Sequence, residues 1–255
     1  MHNDKNSPTN TSIEMDTFTV ISLPQYKDPL LIQPTQHKET NIIIHRIYPL
    51  IIVLLFIIIV TIYTNYNSKD TIKQCIIDHV HLYTNNINAY FHYHSIPRYL
   101  MMSISSLCID FIFIFALFDW AINFISMRLI ICWLMFYAIR GIIQFLYQMP
   151  FPEGYFWGNP YFPSIIVSDL DTSDFFFSGH VAMPLMTGLH YFKINFKFTC
   201  FCFVTVFIEM FLVITTRVHY GIDVVIGLLF AHYVFINVNM YIEKIDRLFK
   251  IKRRI

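Results

Sequence analysis

The sequence predicts an all-α fold: a polytopic membrane helix bundle of six transmembrane helices, with both termini in the cytosol. Three observations lead to this prediction. The chain of 255 residues is 56% hydrophobic and 18% aromatic, and its uncharged runs are longer than those of a soluble core. Six of these runs each have close to the ~20 residues that a bilayer requires. Basic residues concentrate in segments that would face one side of the membrane.

The predicted spans follow one another through short turns and two longer loops. They cover residues 43–65, 102–124, 127–148, 179–193, 197–216 and 220–241. The fourth is the weakest, because it is short and contains Pro184, which interrupts helical hydrogen bonding. His190 and His232 lie deep in their spans, and we expect both to be buried inside the bundle because lipid-facing charge is costly.

Two polar segments flank this six-span domain, which covers residues 41–241 with its catalytic part within about 130–230. Residues 1–40 are rich in Asn, Thr, Ser, Asp and Lys, a composition typical of a disordered tail. They lack the pattern of a cleaved signal peptide. Residues 242–255 are expected to form a basic cytosolic tail.

Loop charge sets the predicted orientation. The segment 242–255 carries six Lys and Arg residues, and Lys193 and Lys197 lie in the turn between the fourth and fifth spans. The loop of residues 149–177 has no Lys or Arg. By the positive-inside rule the basic segments are cytosolic and this loop faces the lumen or the exterior. Three basic residues within 66–101 fit the rule less well.

Composition and spacing also exclude several kinds of partner. A formal net charge of +1 gives no reason to expect nucleic acid. The five cysteines lie mostly in apolar runs without a CxxC pair and are interpreted as small buried side chains. No acidic or Cys/His cluster has the spacing of metal ligands, so neither a metal nor another cofactor is expected. A homo-oligomer is compatible with the sequence.

Two short strings carry the predicted chemistry: Ser-Gly-His at 178–180 and Arg-Val-His-Tyr-Gly-Ile-Asp at 217–223. The predicted topology puts both at exoplasmic starts of spans, so their side chains reach one depth. In a helix Asp223 shares a face with His219 and can accept its Nδ1–H, which leaves Nε2 basic. His219 can then attack phosphorus and form a phosphohistidine, while His180 protonates the departing alkoxide.

Neighbouring residues are candidates for binding the phosphate and the headgroup. Ser178 is a good N-cap and Gly179 permits close approach, and free N–H groups at a helix start attract phosphate oxygens. Arg217 can neutralise charge on the phosphoryl group. Asp174 is near enough in sequence to His180 to help position it, although a solvated loop acid is an equal interpretation.

With these residues the chain resembles the lipid phosphatase/phosphotransferase superfamily, and within it the sphingomyelin synthase-like branch. Phe177 stands where the wider superfamily has the proline of PSGH, and a single residue separates Arg217 from His219. Both departures favour the synthase-like pattern, in which the last motif reads HYxxDV, as in residues 219–224. The PLPD-like string of sphingomyelin synthases is missing upstream.

The closest resemblance is to the plant-type phosphatidylcholine:diacylglycerol cholinephosphotransferases. Three blocks carry it: residues 140–154, 176–182 and 216–223. The resemblance implies that His219 is the nucleophile, Asp223 its orienting acid and His180 the general acid/base. It also places Arg140, in the first block, among the residues that bind the phosphate or headgroup.

The loop of residues 149–177 points to choline, because it combines acidic and aromatic residues that recognise quaternary ammonium groups. Aromatic residues at a membrane interface are the plainer interpretation. The predicted function is transfer of phosphocholine from phosphatidylcholine to a lipid alcohol, with diacylglycerol favoured. The endoplasmic reticulum is favoured over the Golgi or plasma membrane, with the site on the lumenal or exoplasmic face.

Three other functions stay open. Synthesis of sphingomyelin or ceramide phosphoethanolamine would use the same chemistry with another acceptor. A lipid phosphate phosphatase would use water in place of the lipid alcohol. A lipid transporter or scramblase is the alternative from a different class, and it would not need its histidines confined to one face.

Overall fold

The computed structural model describes residues 76–123, 126–147, 149–157, 164 and 175–249, and six further positions between 48 and 59. All of them belong to one unit of the chain, Glu39–Ile255. Within the described residues there are seven helices and no strands. In chain order they are α1 (His79–Tyr83), α2 (Asn85–Tyr93), α3 (Ser95–Asn123), α4 (Arg128–Leu146), α5 (Gly179–Tyr191), α6 (Phe196–Thr215) and α7 (Gly221–Leu248). The all-α prediction is confirmed.

Four helices, α3, α4, α6 and α7, are long and apolar enough to cross a membrane. They have 29, 19, 20 and 28 residues and correspond to the second, third, fifth and sixth predicted spans. Their length and composition identify an integral membrane protein. The predicted span 43–65 lies almost entirely outside the described residues, as do residues 1–40 and 250–255. The count of six spans and the orientation therefore stay predictions.

The fourth predicted span is helical but short. Helix α5 has 13 residues, which at 1.5 Å per residue is roughly 20 Å, less than the ~30 Å of a bilayer core. It packs against α3, α4, α6 and α7, and ten of its residues are buried. A helix that is apolar all round and enclosed by other helices belongs to the interior of a bundle. Helix α5 is therefore the central element, and it carries His180 at its start.

The core surrounds α5. Met186 of α5 and Ile130 and Phe136 of α4 are fully buried, and Phe177, just before α5, stacks on Phe230 of α7 with ring centroids 4.7 Å apart. In lipid, such close packing is the main source of helix association, because exposing an apolar side chain to acyl chains costs little. The start of α5 is thereby held between α4 and α7.

Polar contacts fix the opposite end of α5. Arg128 donates from Nε to Nδ1 of His190 at 3.1 Å and from a terminal nitrogen to the His190 carbonyl at 3.1 Å. His190 is buried, as predicted. His232, in contrast, is exposed on the outside of α7, so the prediction of a buried role for it is wrong.

Candidate active site

The two histidine strings lie side by side at one end of the bundle. His180 is the second residue of α5, and His219 lies two residues before α7. The centroids of the two imidazole rings are 5.7 Å apart, and the ring planes are inclined by 68°. At this separation both rings can reach the same phosphoryl group, although the two histidines are 39 positions apart in the sequence.

Asp223 lies one helical turn after His219 and is placed to orient its ring. The distance from Asp223 Oδ2 to His219 Nδ1 is 3.6 Å, and both side chains are within 1% of complete burial. The same Oδ2 accepts the backbone N–H of Tyr220 at 3.1 Å, which fixes the carboxylate at the start of α7. His219 lies before the N-cap Tyr220, outside α7, so the capping turn, rather than a shared helix face, brings its ring near Asp223.

Several buried polar atoms around His219 have no hydrogen-bond partner within the part of the chain that the structure describes. They are the Ser178 hydroxyl, both ring nitrogens of His219 and Oδ1 of Asp223. A buried polar group without a partner costs about 1–3 kcal/mol, so native proteins rarely cluster such groups without a use for them. Their concentration here marks a place suited to a polar ligand.

The Ser178 segment lies directly on α7. A Cβ atom at Gly227 would be 2.9 Å from the carbonyl oxygen of Ser178 and 3.0 Å from its nitrogen, so only glycine admits this approach. Ser178 occupies the N-cap position of α5, as predicted, but its hydroxyl makes no capping hydrogen bond. A Cβ at Gly179 would be 3.2 Å from the ring of Tyr137, so this position is also closely packed.

Strained backbone lies just before the first string and at the first residue of the second. Phe176, Phe177 and Arg217 adopt positive φ angles of 80°, 70° and 60°. Residues with side chains rarely adopt this conformation, and a proline, whose ring fixes φ near −65°, is excluded from it. Phe177 in place of the superfamily proline therefore matches the local backbone. Arg140 supports this turn by donating from Nε to the Phe177 carbonyl at 2.8 Å.

Arg217 connects three segments. Its terminal nitrogens donate to the carbonyl oxygens of Glu153 and His81 and to the side-chain oxygen of Asn85. These contacts give the guanidinium a role in joining loops, and its contact with phosphate stays a prediction. Asp174 lies outside the described residues.

A protein-family model described as AtPDCT1/2, the plant phosphatidylcholine:diacylglycerol cholinephosphotransferase family, matches residues 77–239, more than half of the chain. The chain belongs to this family. It is therefore a transferase of phospholipid metabolism. No curated protein and no solved structure matches the chain. The matched range includes His180, His219 and Asp223, and it begins one residue before Asp78.

Aromatic residues of the loop between α4 and α5 contact both histidines of this cholinephosphotransferase-family chain. The ring centroid of Trp157 is 5.8 Å from that of His180, and the ring centroid of Phe175 is 6.4 Å from that of His219. Among the described residues, no three His, Cys, Asp or Glu side chains are grouped to hold a metal ion. The surroundings of the two histidines are thus aromatic and closely packed.

The sequence did not point to Asp78 and His81, which contact the loop that carries His219. Nε2 of His81 is 3.0 Å from the carbonyl oxygen of His219, and Asp78 Oδ2 accepts the N–H of Gly221 at 2.5 Å. Burial lowers the pKa of His81, which favours the neutral form of its ring. The available signal was the spacing of an acid and a histidine by three residues, which places both on one face of a helix.

Proposed function

We propose that the chain moves phosphocholine from phosphatidylcholine to diacylglycerol through a phosphohistidine at His219. The observation that carries this proposal is the grouping of the half-buried His180 with the buried His219 and Asp223, with ring centroids of the histidines 5.7 Å apart. Membership of the cholinephosphotransferase family supports the choice of donor and acceptor.

In the first half-reaction, Asp223 holds the Nδ1–H of His219, and the lone pair on Nε2 attacks the phosphorus of phosphatidylcholine. The N–P bond forms while the bond from phosphorus to the diacylglycerol oxygen breaks. His180, as general acid, gives its proton to that oxygen, and diacylglycerol leaves. The enzyme then carries phosphocholine on His219.

The second half-reaction reverses these steps with a new acceptor. The hydroxyl of another diacylglycerol gives its proton to His180 and attacks phosphorus. The P–N bond breaks, its electron pair returns to Nε2 of His219, and a new phosphatidylcholine is formed. Transfer needs the lipid hydroxyl to compete with water, and a buried site favours the lipid: the side chain of His219 is 0% exposed.

We assign phosphate binding to the start of α5. The Ser178 hydroxyl and the backbone N–H groups of Gly179 and the following residues are suited to phosphoryl oxygens, since a helix N-terminus attracts anions. Arg140, next to this turn through its bond to Phe177, adds positive charge. We also retain Asp174 as a positioning group for His180 and Arg217 as a source of positive charge.

The loop between α4 and α5 supports the choice of headgroup and of membrane face. Aromatic faces such as that of Trp157, which contacts His180, suit the quaternary ammonium of choline. Residues 149–177 contain no Lys or Arg, which supports a site on the lumenal or exoplasmic face, and the endoplasmic reticulum is the compartment that we favour.

A labelling experiment tests the transfer. Membranes carrying the protein receive phosphatidylcholine labelled in its headgroup, with a diacylglycerol or a ceramide of distinctive chain length. Label is expected in phosphatidylcholine of the new chain length, and His219→Ala is expected to reduce it by about 1,000-fold or more. His232→Ala, an exposed histidine on α7, is the matched control. Label in the ceramide product, or as free phosphocholine, would contradict the proposed acceptor.

A trapping experiment tests the phosphohistidine. p-Nitrophenyl phosphocholine has a leaving group that needs no protonation, so His180→Gln should still form the intermediate but transfer it slowly. Phosphorus label should accumulate on this variant in a form that is stable to alkali and labile to acid. Equal label on His219→Ala would contradict the assigned nucleophile, as would the absence of label from both His180→Gln and the unaltered chain.

A further inference from the structure

A short polar segment ahead of the first long helix packs on the loop that carries His219. It comprises Asp78 and helices α1 and α2, and we call it the clamp segment (residues 78–93). Asn88 of this segment donates from Nδ2 to the carbonyl oxygens of Thr215, at 2.8 Å, and Gly154, at 3.1 Å. The clamp segment therefore joins the end of α6 to the loop that follows α4.

Asp78 caps two helix starts with one carboxylate. Oδ1 accepts the N–H of Val80 at 2.8 Å, at the start of α1, and Oδ2 accepts the N–H of Gly221 at 2.5 Å, at the start of α7. A Cβ at Gly221 would lie 2.9 Å from a methyl carbon of Val80 and 3.3 Å from Oδ2 of Asp78. Glycine at 221 thus permits the approach, and the carboxylate satisfies N–H groups that a helix start leaves without partners.

His81 contacts the same loop at His219, two residues before Gly221. Its Nε2 lies 3.0 Å from the carbonyl oxygen of His219, and since a carbonyl can only accept, Nε2 carries the proton. The ring stacks on Tyr220, with centroids 5.7 Å apart and planes inclined by 23°. His81 is 5% exposed, so its hydrogen bond is shielded from water.

Together these contacts hold the backbone on both sides of Tyr220. The carbonyl of His219 is held by His81, and the N–H of Gly221 by Asp78. The ring of His219 has no hydrogen bond of its own among the described residues, so its position depends on the backbone that carries it and on Asp223, 3.6 Å away. A shift of this backbone would move His219 relative to both Asp223 and His180.

We propose that Asp78 and His81 are positioning residues of the transfer reaction, which hold the backbone of residues 219–221 so that His219 stays aligned for attack on phosphorus. This inference rests on the proposed function. A displacement of about 1 Å at a reacting group can cost about 100-fold in rate. Loss of the hydrogen bond from His81 should therefore lower kcat while leaving KM nearly unchanged, because the lipid-binding surfaces are not altered.

A purely structural role predicts a different pattern, and two substitutions at one position separate the two roles. His81→Phe keeps a ring that can stack on Tyr220 but has no N–H for the His219 carbonyl. His81→Gln gives up the ring but supplies an amide N–H. If the alignment of His219 matters, His81→Gln should have a higher kcat than His81→Phe. If packing alone matters, the order of the two variants should be reversed. His79→Phe, at an exposed neighbouring position, is the matched control.

The experiment measures kcat and KM for headgroup transfer to diacylglycerol by the full chain in lipid nanodiscs. Each rate is divided by the amount of folded protein, which thermal unfolding determines. We expect kcat of His81→Phe to fall by about 30- to 100-fold with KM within about twofold. His81→Gln should recover most of this loss, and His79→Phe should match the unaltered chain. Asp78→Ala, at the other positioning residue, should likewise lower kcat and leave KM nearly unchanged.

The outcomes separate this inference from the function on which it rests. No transfer by the unaltered chain would overturn the proposed function and the inference with it. Transfer by the unaltered chain with equal kcat in His81→Phe would overturn the inference alone. So would a loss of kcat in His81→Phe that His81→Gln does not restore, since the rate would then not depend on an N–H donor for the His219 carbonyl.

Discussion

The backbone N–H of Ser178 donates to the carbonyl oxygen of Asp223 at 3.1 Å, so the two strings that carry the histidines are hydrogen-bonded to each other. The bond connects the residue before α5 to the first turn of α7. Because main-chain atoms make it, the relative position of His180 and His219 depends on how closely α5 approaches α7. That approach is set by the residue one turn further along α7, Gly227.

Gly227→Ala is expected to damage both stability and transfer. The added methyl would lie within 3.0 Å of two backbone atoms of Ser178, and backbone cannot rotate away as a side chain can. Overpacking of this kind costs about 1–3 kcal/mol and would displace Ser178 and His180 from α7. Thermal unfolding should show the loss of stability, and kcat per folded protein should fall by about 10-fold or more.

Gly188→Ala is the matched control for this prediction. A Cβ there would lie 3.1 Å from the side chain of Cys202, so α5 and α6 are also closely packed, but at a site away from the histidines. It should lower stability and leave kcat per folded protein unchanged. Equal losses of kcat in both variants would show that general packing, rather than the contact with Ser178, controls the reaction.

Asp223→Asn is expected to lower kcat by about 100- to 10,000-fold while the protein remains folded. An asparagine oxygen can still accept the N–H of Tyr220, so the helix start is preserved, but the charge that favours the correct form of His219 is lost. Asp246→Asn is the matched control, since Asp246 is also buried on α7 and accepts the N–H of Met127 at 3.0 Å. Headgroup transfer and thermal unfolding of both variants check this prediction.

The long helices could be predicted from the sequence because run length is a sufficient signal for them. Helices α3, α4, α6 and α7 agree with predicted spans to within about seven residues at each end. The bounds of α5 also agree, to within about two residues, but the helix is too short to cross a bilayer, since an apolar helix inside protein need not match the bilayer thickness. The length of an apolar run does not show whether lipid or protein surrounds a helix. For the same reason the sequence did not show that His232 is exposed.

The strings containing His180, His219 and Asp223 could be found because their residue types and spacing are specific to a known chemistry. The support around them could not. The contacts of His81 and Arg217 are largely with backbone carbonyls, at His219 and Glu153 for example, and a carbonyl is present at every position of the chain. Hydrogen bonds to backbone carbonyls therefore cannot be inferred from residue types in a single sequence. They can be identified only in the structure, where the fold brings distant segments together.

Phe177→Pro is expected to abolish transfer, although proline occupies this position in the wider superfamily motif. The φ angle of Phe177 is 70°, and proline is confined near −65°, so the turn into α5 could not form. The bond from Arg140 to the Phe177 carbonyl would be lost with it. Phe177→Leu, which can adopt the same backbone, should lose stability from the missing stack on Phe230 yet retain measurable transfer. An active proline variant would contradict the assigned turn.

Acid should destabilise the clamp segment through His81. Burial is the largest influence on this ring and lowers its pKa below the ordinary 6.5. It outweighs the hydrogen bond to the His219 carbonyl and the carboxylates of Asp78 and Asp223, while Arg217 acts in the same direction as burial. Above pH 6.5 the ring is neutral in the folded and unfolded chain, and its bond to His219 contributes fully. As the pH falls below this value, the unfolded chain takes up a proton that the folded chain resists, so stability decreases until the lowered pKa is reached.

Thermal unfolding in detergent at about pH 7.5 and about pH 5.5 checks this prediction, because the interval spans the ordinary histidine pKa. The unaltered chain should lose more stability between the two conditions than His81→Gln, which has no titrating group at this position. Other histidines titrate in the same interval, so the quantity to compare is the difference between the two proteins. His79→Gln should behave like the unaltered chain, since the His79 side chain is exposed. An equal acid loss in all three proteins would show that protonation of His81 does not limit stability.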